Sequence, residues 1–296
     1  MPLSATGLIA LADLSTLSQR TALTGTSTLL DCLVLAPGIH RQQTASALNG
    51  GEYPAVAAMT SGYVFRVENP ATSVFRRFVS ALICTENTKL STYLAYVATV
   101  SATLATLAFV VLSEDHWGVL VMSLLILCRF VNTTIIRRRS APGWFGVPEA
   151  GVDGDLLVLL SQDRWVRIRG AVDDLKAVTS GQWLRDPTTR ESYATASATL
   201  LLYATAVLTS NVSDIGKILV LGLLVGSVGV MALFNTRTEV LQMHGRLLKV
   251  DGERRVYKRR LEMAEELIKE VGREDWAIRL GMINRPAKES EGMPTM

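Results

Sequence analysis

STYLAYVATVSATLATLAFVVLSEDHWGVLVMSLLILCRFVNTTIIRRR, residues 91–139, decides the fold. Residues 92–112 carry no charge, and residues 113–116 (Ser-Glu-Asp-His) are too polar to stay in lipid. Residues 117–136 are apolar again and run into Arg137, Arg138 and Arg139. At about 1.5 Å per residue, about 20 residues cross a hydrocarbon core of roughly 30 Å. The four-residue connection predicts an antiparallel transmembrane hairpin. Neither helix shows the polar face that a surface helix of a soluble protein carries.

A second hairpin follows the same plan. Residues 193–210 and 215–234 are apolar, joined by Asn211, Val212, Ser213 and Asp214. Each hairpin pairs an Ala/Thr-rich span with a Leu/Val-rich one. A duplicated hairpin would produce that likeness, and so would the small-residue bias of membrane spans. The composition agrees: 49% of the 296 residues are hydrophobic, mean hydropathy is +0.27, and apolar and charged blocks are sharply segregated. The net charge of +3 is too small to argue for nucleic acid. Cys32, Cys84 and Cys128 are too far apart for a disulfide framework, and His40, His116 and His244 build no metal cluster.

Working outward, residues 1–70 are rich in Ser, Thr, Ala and Gly and predict a largely disordered segment, the alternative being a helix near Leu29 to Leu35. Residues 71–90 predict an interfacial amphipathic helix, with Val74, Phe75, Phe78, Val79 and Leu82 on one face. Residues 91–136 are the first transmembrane hairpin and residues 137–191 a cytosolic segment. Within it, residues 155–170 read as a β-hairpin whose second strand alternates apolar and basic, followed by a helix at 171–184. Residues 192–235 are the second hairpin. Residues 236–296 form a basic helical tail, in which Leu247, Val250, Tyr257, Leu261, Ala264, Ile268 and Val271 follow a coiled-coil-like spacing. That spacing suits self-association, or packing on the central segment, which lacks cover of its own.

Basic residues flanking spans stay cytosolic. Arg137, Arg138 and Arg139, the central segment and the tail carry them, whereas the two links and their edges hold only Lys217. Both termini are therefore expected in the cytosol. Span lengths near 20 residues suit a thin membrane, such as the ER or another endomembrane. Arg129 lies toward the cytosolic end of its span and is expected to snorkel. Among small residues, Ala98, Ala102 and Ala105 line one stripe of the first span, and Gly222, Gly226 and Gly229 one of the fourth. Such stripes let helix backbones pack closely. In the tail, Arg254, Arg255, Lys258, Arg259 and Arg260 form a basic run suited to anionic lipid.

Enzyme signatures do not occur: there is no GxSxG, HExxH, Gly-rich phosphate loop or Cys/His metal spacing. No cofactor and no metal are expected. The best polar constellation is Asp163, Arg164, Arg167, Arg169, Asp173 and Asp174, which reads as a solvated face.

The stretch GDLLVLLSQDRWVRIRGAVDDLK (residues 154–176), set between two helical hairpins, resembles uncharacterised polytopic membrane proteins of filamentous fungi over about residues 73–263. The resemblance implies the four-span plan and brings no activity or site residues. The expected fold is an α-helical membrane protein with two transmembrane hairpins, a small cytosolic β-hairpin/helix segment and a helical tail. The expected function is a structural or adaptor subunit presenting its cytosolic face to a protein partner. The alternative is a homo-oligomeric uncoupled pore lined by Thr99, Ser101, Thr103, Thr106, Thr195, Ser197, Thr199 and Thr205. A third class is a lipid-active membrane enzyme.

Overall fold

The computed structural model describes residues 5–50, 52–69, 71, 80–84, 90–143, 146–160, 163–179, 183–238, 240–250 and 255–283. Two helical hairpins stand where largely apolar sequence meets polar links: α3 (Leu90–Leu112) with α4 (His116–Arg139), and α6 (Thr189–Leu208) with α7 (Asp214–Arg237). Among the described residues, α4 and α7 are long and apolar enough to cross a membrane by length and composition; the apolar stretch Tyr96–Leu112 of α3 is shorter. The starts of α4, α6 and α7 are capped. Asp115 accepts from the Gly118 amide (2.9 Å) and Ser213 from the Gly216 amide (3.1 Å). Thr188 and Glu191 close a capping box on α6. Asp115 also accepts the Ser213 amide at 2.9 Å, so one carboxylate ties both links together. Those bonds hold it below the ordinary carboxylate value against the opposing pull of burial.

At the opposite end of the helices lies a small seven-stranded sheet, ordered β2-β1-β4-β5-β3-β7-β6. Its strands are β1 (Ala55–Ala58), β2 (Val64–Arg66), β3 (Ser80–Cys84), β4 (Asp153–Leu160), β5 (Arg164–Ala171), β6 (Val240–Met243) and β7 (Arg246–Val250). The predicted hairpin is β4–β5, with Leu156 opposite Ile168 and Val158 opposite Val166. Its period of two sorts the Leu run onto two covered faces. Leu156, Val158 and Leu160 pack with Ile136 from the end of α4, with Trp183, and with Leu175 and Val178 of α5 (Val172–Thr179). Leu157 faces the other way, against Met263, Ala264 and Leu267 of α8 (Arg260–Val271) and Trp276 of α9 (Asp275–Arg279). The basic side of β5 is therefore not a wet face. Arg167 lies under α8, bonded to Asp155 of β4 and, at 2.6 Å, to Glu270.

Three expectations are corrected. The coiled-coil seam does not exist among the described residues. Leu247 lies in β7, α8 spans twelve residues, and its apolar stripe is used against the sheet. The interfacial helix falls mostly on residues outside the described ones, but within it Ser80–Cys84 is a strand. That strand pairs parallel with β5 and antiparallel with β7, so non-local pairing overrides the helical spacing of its apolar residues.

The third correction concerns the N-terminal segment, which is ordered over its described residues rather than disordered. Helix α1 (Ala5–Ala10) packs against both α6 and α7, and α2 (Thr16–Thr24) against α7 and β6. Two 3-10 segments, Leu29–Leu33 and Ile39–Ala47, pack against α4. Leu17, Leu35 and Ile39 are fully buried with Met122, Leu125, Leu202 and Leu224 of the long helices. A four-helix bundle alone would leave that volume empty; the segment fills it. Two glycines allow the approach. A Cβ on Gly7 would lie 2.3 Å from the Ala206 carbonyl oxygen. Gly25 ends α2 at φ +68°, and a Cβ there would lie 2.4 Å from the Gln242 carbonyl oxygen.

Asp115→Ala should therefore cost more than one helix cap, about 2 kcal/mol, because both links lose their acceptor. Thermal unfolding in detergent should show this loss together with a greater loss of amide protection in residues 209–216. Unchanged protection there would contradict the bridging role.

Candidate functional site

The polar groups that meet inside the bundle lie where the N-terminal segment touches α4. Arg129 sits mid-helix and is 4% exposed. Its Nε donates to the Asp31 carbonyl oxygen at 3.2 Å, and its Nη1 donates to Gln42 Oε1. The Gln42 amide passes the chain on, donating to Ser27 Oγ at 2.9 Å and Thr21 Oγ1 at 3.3 Å. Gln43 does the same one turn further along. It donates to the Asn132 carbonyl (3.0 Å) and side-chain oxygen (3.2 Å), and its own Oε1 accepts from Arg139 Nη1 at 2.9 Å. Two consecutive glutamines on a 3-10 turn thus clamp the polar row Arg129, Asn132 and Arg139 of α4.

Arg129 was expected to snorkel to water and instead turns inward. The reason is acceptor supply: a buried guanidinium is tolerated only where fixed oxygens replace its hydration, and the N-terminal segment delivers them. Asp31 is held by its own turn, accepting the Thr28 amide at 2.6 Å, while the Thr28 hydroxyl meets the Tyr96 hydroxyl at 3.2 Å. Nearby, the Cys128 thiol donates to the Ala198 carbonyl at 3.3 Å, joining α4 to α6.

The basic triplet divides. Arg137 and Arg138 are exposed, whereas Arg139 is buried and donates from Nε to the Arg185 carbonyl at 2.8 Å. Arg185 in turn grips Glu191 with two bonds of 2.8 and 2.5 Å. That grip, with bonds from Thr188 and against the effect of burial, holds the Glu191 carboxyl down to about 2 from an ordinary 4.5. The pair's contribution to stability is present above pH 4.5 and is lost as pH falls toward 2.

The small-residue stripes do not pack within the chain. Ala98, Ala102, Ala105, Gly222, Gly226 and Gly229 are all exposed, and a Cβ on any of the three glycines meets nothing within 4 Å. The close faces are instead those of Thr99, Thr103 and Val110 on α3 and Leu223, Leu224 and Ser227 on α7. In the tail run, Arg254 lies outside the described residues. Arg255 pairs with Glu266, Arg260 with Asp163 at 2.7 Å, and Lys258 and Arg259 are exposed. Tyr257 between them, and Met263 just beyond, pack in the layer with Leu157 and Trp276. The central constellation is dispersed into structural contacts: Asp174 with Arg246, Asp173 with the Glu149 amide (2.7 Å), and Asp163 with Trp165 Nε1 (3.1 Å).

Sequence reasoning missed the Gln42–Gln43 pair and with it the N-terminal clamp. The available signal was the apolar run Val34, Leu35, Ala36 and Ile39 beside those amides. Among the described residues no group of His, Cys, Asp and Glu could hold a metal ion. The arrangement is a lock: it fixes one segment against another and presents no nucleophile with a base.

Gln42→Leu should leave the guanidinium short of an acceptor and cost about 2 kcal/mol; Arg129→Met should cost about 3 kcal/mol or more. In a double-mutant cycle the two losses should be coupled by about 1 kcal/mol or more. Additive losses would show that the two side chains do not act as a unit. No family model, curated protein or solved structure matches the chain.

Proposed function

We propose that the protein is a four-span membrane protein that presents its sheet to a partner on the cytosolic side, as a structural or adaptor subunit. The observation that carries this reading is the outer surface of the long helices. Leu104, Phe109, Leu127, Phe130, Leu200 and Val225 are exposed, while the bundle interior is apolar too. Helices apolar on both sides, with an exposed patch this extensive, suit a lipid environment.

The charge pattern supports the orientation. At the sheet end Arg137, Arg138, Arg190 and Arg237 are exposed, while the links at the other end carry Glu114, Asp115 and Asp214 beside Lys217. ER-type endomembranes suit the span lengths. One flank differs from the rest: the N-terminal segment brings the Asp13–Arg41 ion pair to the surface beside α6. Irregular backbone and paired charge do not face acyl chains, so in this reading that flank faces protein or water.

The second reading is an uncoupled pore between copies of the chain. It draws on the outward stripes of Ala98, Ala102 and Ala105 and of Gly222, Gly226 and Gly229, which leave room for another helix. A conduit within one chain has no support. The hydroxyls of Thr99, Thr103, Thr195, Thr199 and Thr205 donate to carbonyls of their own helices.

In sealed microsomes, alkaline carbonate should leave the full-length protein in the membrane pellet. Added protease should remove an epitope at the C-terminus while the helical hairpins stay protected. Release into the carbonate supernatant would end the membrane reading, and an epitope cleaved only after detergent would reverse the orientation.

A further inference from the structure

The N-terminal segment runs the length of the long helices. Helix α1 sits at the link end, where the Thr6 hydroxyl donates to the Lys217 carbonyl at 3.5 Å and Gly7 rests on the Ala206 carbonyl and the Thr209 hydroxyl. Helix α2 sits at the sheet end. The Thr16 carbonyl accepts from Asn235 at 3.0 Å, and Gly25 gives its carbonyl to Trp183 Nε1 at 2.6 Å and lies against Gln242 of β6. Lys217 and Asn235 lie near opposite ends of α7. At about 1.5 Å per residue they are about 27 Å apart, close to a hydrocarbon core of roughly 30 Å.

This passage is not one helix: α1 ends at Ala10 and α2 begins at Thr16. The break meets a loop that dips back from the sheet end. From Gly25 the chain returns into the bundle, where the Asp31 carbonyl meets Arg129, and it leaves again at Ala45, in the core beside the sheet. At the turn of that loop, a Cβ on Gly38 would lie 2.1 Å from the Leu14 carbonyl oxygen. Arg41 Nη2 donates to Asp13 Oδ2 at 2.5 Å, and His40 Nε2 stands 4.0 Å from the same carboxylate, with its ring 6.4 Å from that of Tyr203 on α6. Gln42, next in the chain, accepts from Arg129 in the middle of α4, which fixes the depth of the group. Between their ends the long helices carry one charged side chain, Arg129; the N-terminal segment adds Asp13 and Arg41 at that level. These two side chains are 57% and 47% exposed, so the described residues do not cover the pair. Non-helical backbone and charge at membrane depth are tolerated where they are buried in protein or line water, and broken helices build polar sites there.

We propose that residues 5–25 make a fifth, broken crossing of the membrane. It leaves residue 5 on the side of the links, opposite the sheet and the tail, and holds Asp13, His40 and Arg41 about half-way across in a recess open to water. The charge pattern agrees. Residues 1–19 contain no Lys or Arg, and the first basic residue, Arg20, lies on α2 at the sheet end. The placement of both termini in the cytosol is thereby replaced by termini on opposite sides.

The inference rests on the membrane reading, and the sealed-microsome assay separates the two once the full-length chain carries a second epitope ahead of Met1. Protease should remove one terminal epitope and leave the other until detergent is added, whichever way the chain as a whole faces. Both epitopes cleaved, or both protected, in a chain that carbonate leaves embedded overturns this inference alone. Release by carbonate overturns both readings. The recess is read with a charged, water-soluble thiol reagent added on both sides of the membrane to a chain whose three cysteines are replaced by serine. Leu14→Cys, beside Asp13, should react at least about tenfold faster than Leu127→Cys, which is exposed on the outer surface of α4 near Arg129. Equal rates, in variants that keep the two epitopes on opposite sides, overturn the recess.

Discussion

Arg129 is a full charge taken out of water in the middle of a helix, and its hydrogen bonds go to the Asp31 carbonyl and to Gln42. Removing a guanidinium from water costs several kcal/mol unless fixed oxygens replace its hydration. Both acceptors that meet it come from the N-terminal segment and neither from α4. The N-terminal segment must therefore come to α4, and once there it brings Leu17, Leu35 and Ile39 into the bundle's apolar centre. Polar specification and apolar filling act on the same piece of chain. The buried charge selects where the segment sits, and the burial of its aliphatic side chains makes the placement stable.

The sheet depends on the same placement. Gly25, at the end of α2, gives its carbonyl to Trp183 and lies against Gln242 of β6. Trp183 is fully buried between the sheet and the helix ends. The helical body and the sheet thus share a core layer that runs from α2 through Ile136 to β4 and β5. A second layer, α8 and α9, closes the far face and takes in Arg167, whose basic side chain would otherwise mark that face as open to water.

The legible parts of the fold were those with a local cause. The helical hairpins are bounded by acidic links and the β4–β5 hairpin by its alternation, and both stand where the sequence puts them. The N-terminal segment was not legible because its order is borrowed. Its apolar residues have no helical or strand period, much of it is 3-10, and its partners lie about a hundred residues away. Strand β3 failed for a similar reason, since its neighbours in the sheet come from later in the chain. The β6–β7 hairpin was readable and was passed over. His244 and Gly245 both take positive φ, 49° and 76°, in a two-residue turn between short apolar strands. The coiled-coil spacing that begins at Leu247 was the weaker of two signals there.

Native-state hydrogen exchange on the full-length protein tests the central claim, that the N-terminal segment is an integral element of the helical body. Amides of residues 17–24 and 39–47 should be protected to the same order as those in the middle of α4, and Arg129→Met should lower protection in both together. Exchange of residues 17–47 at the rate of an unstructured chain, with α4 still protected, would contradict the account.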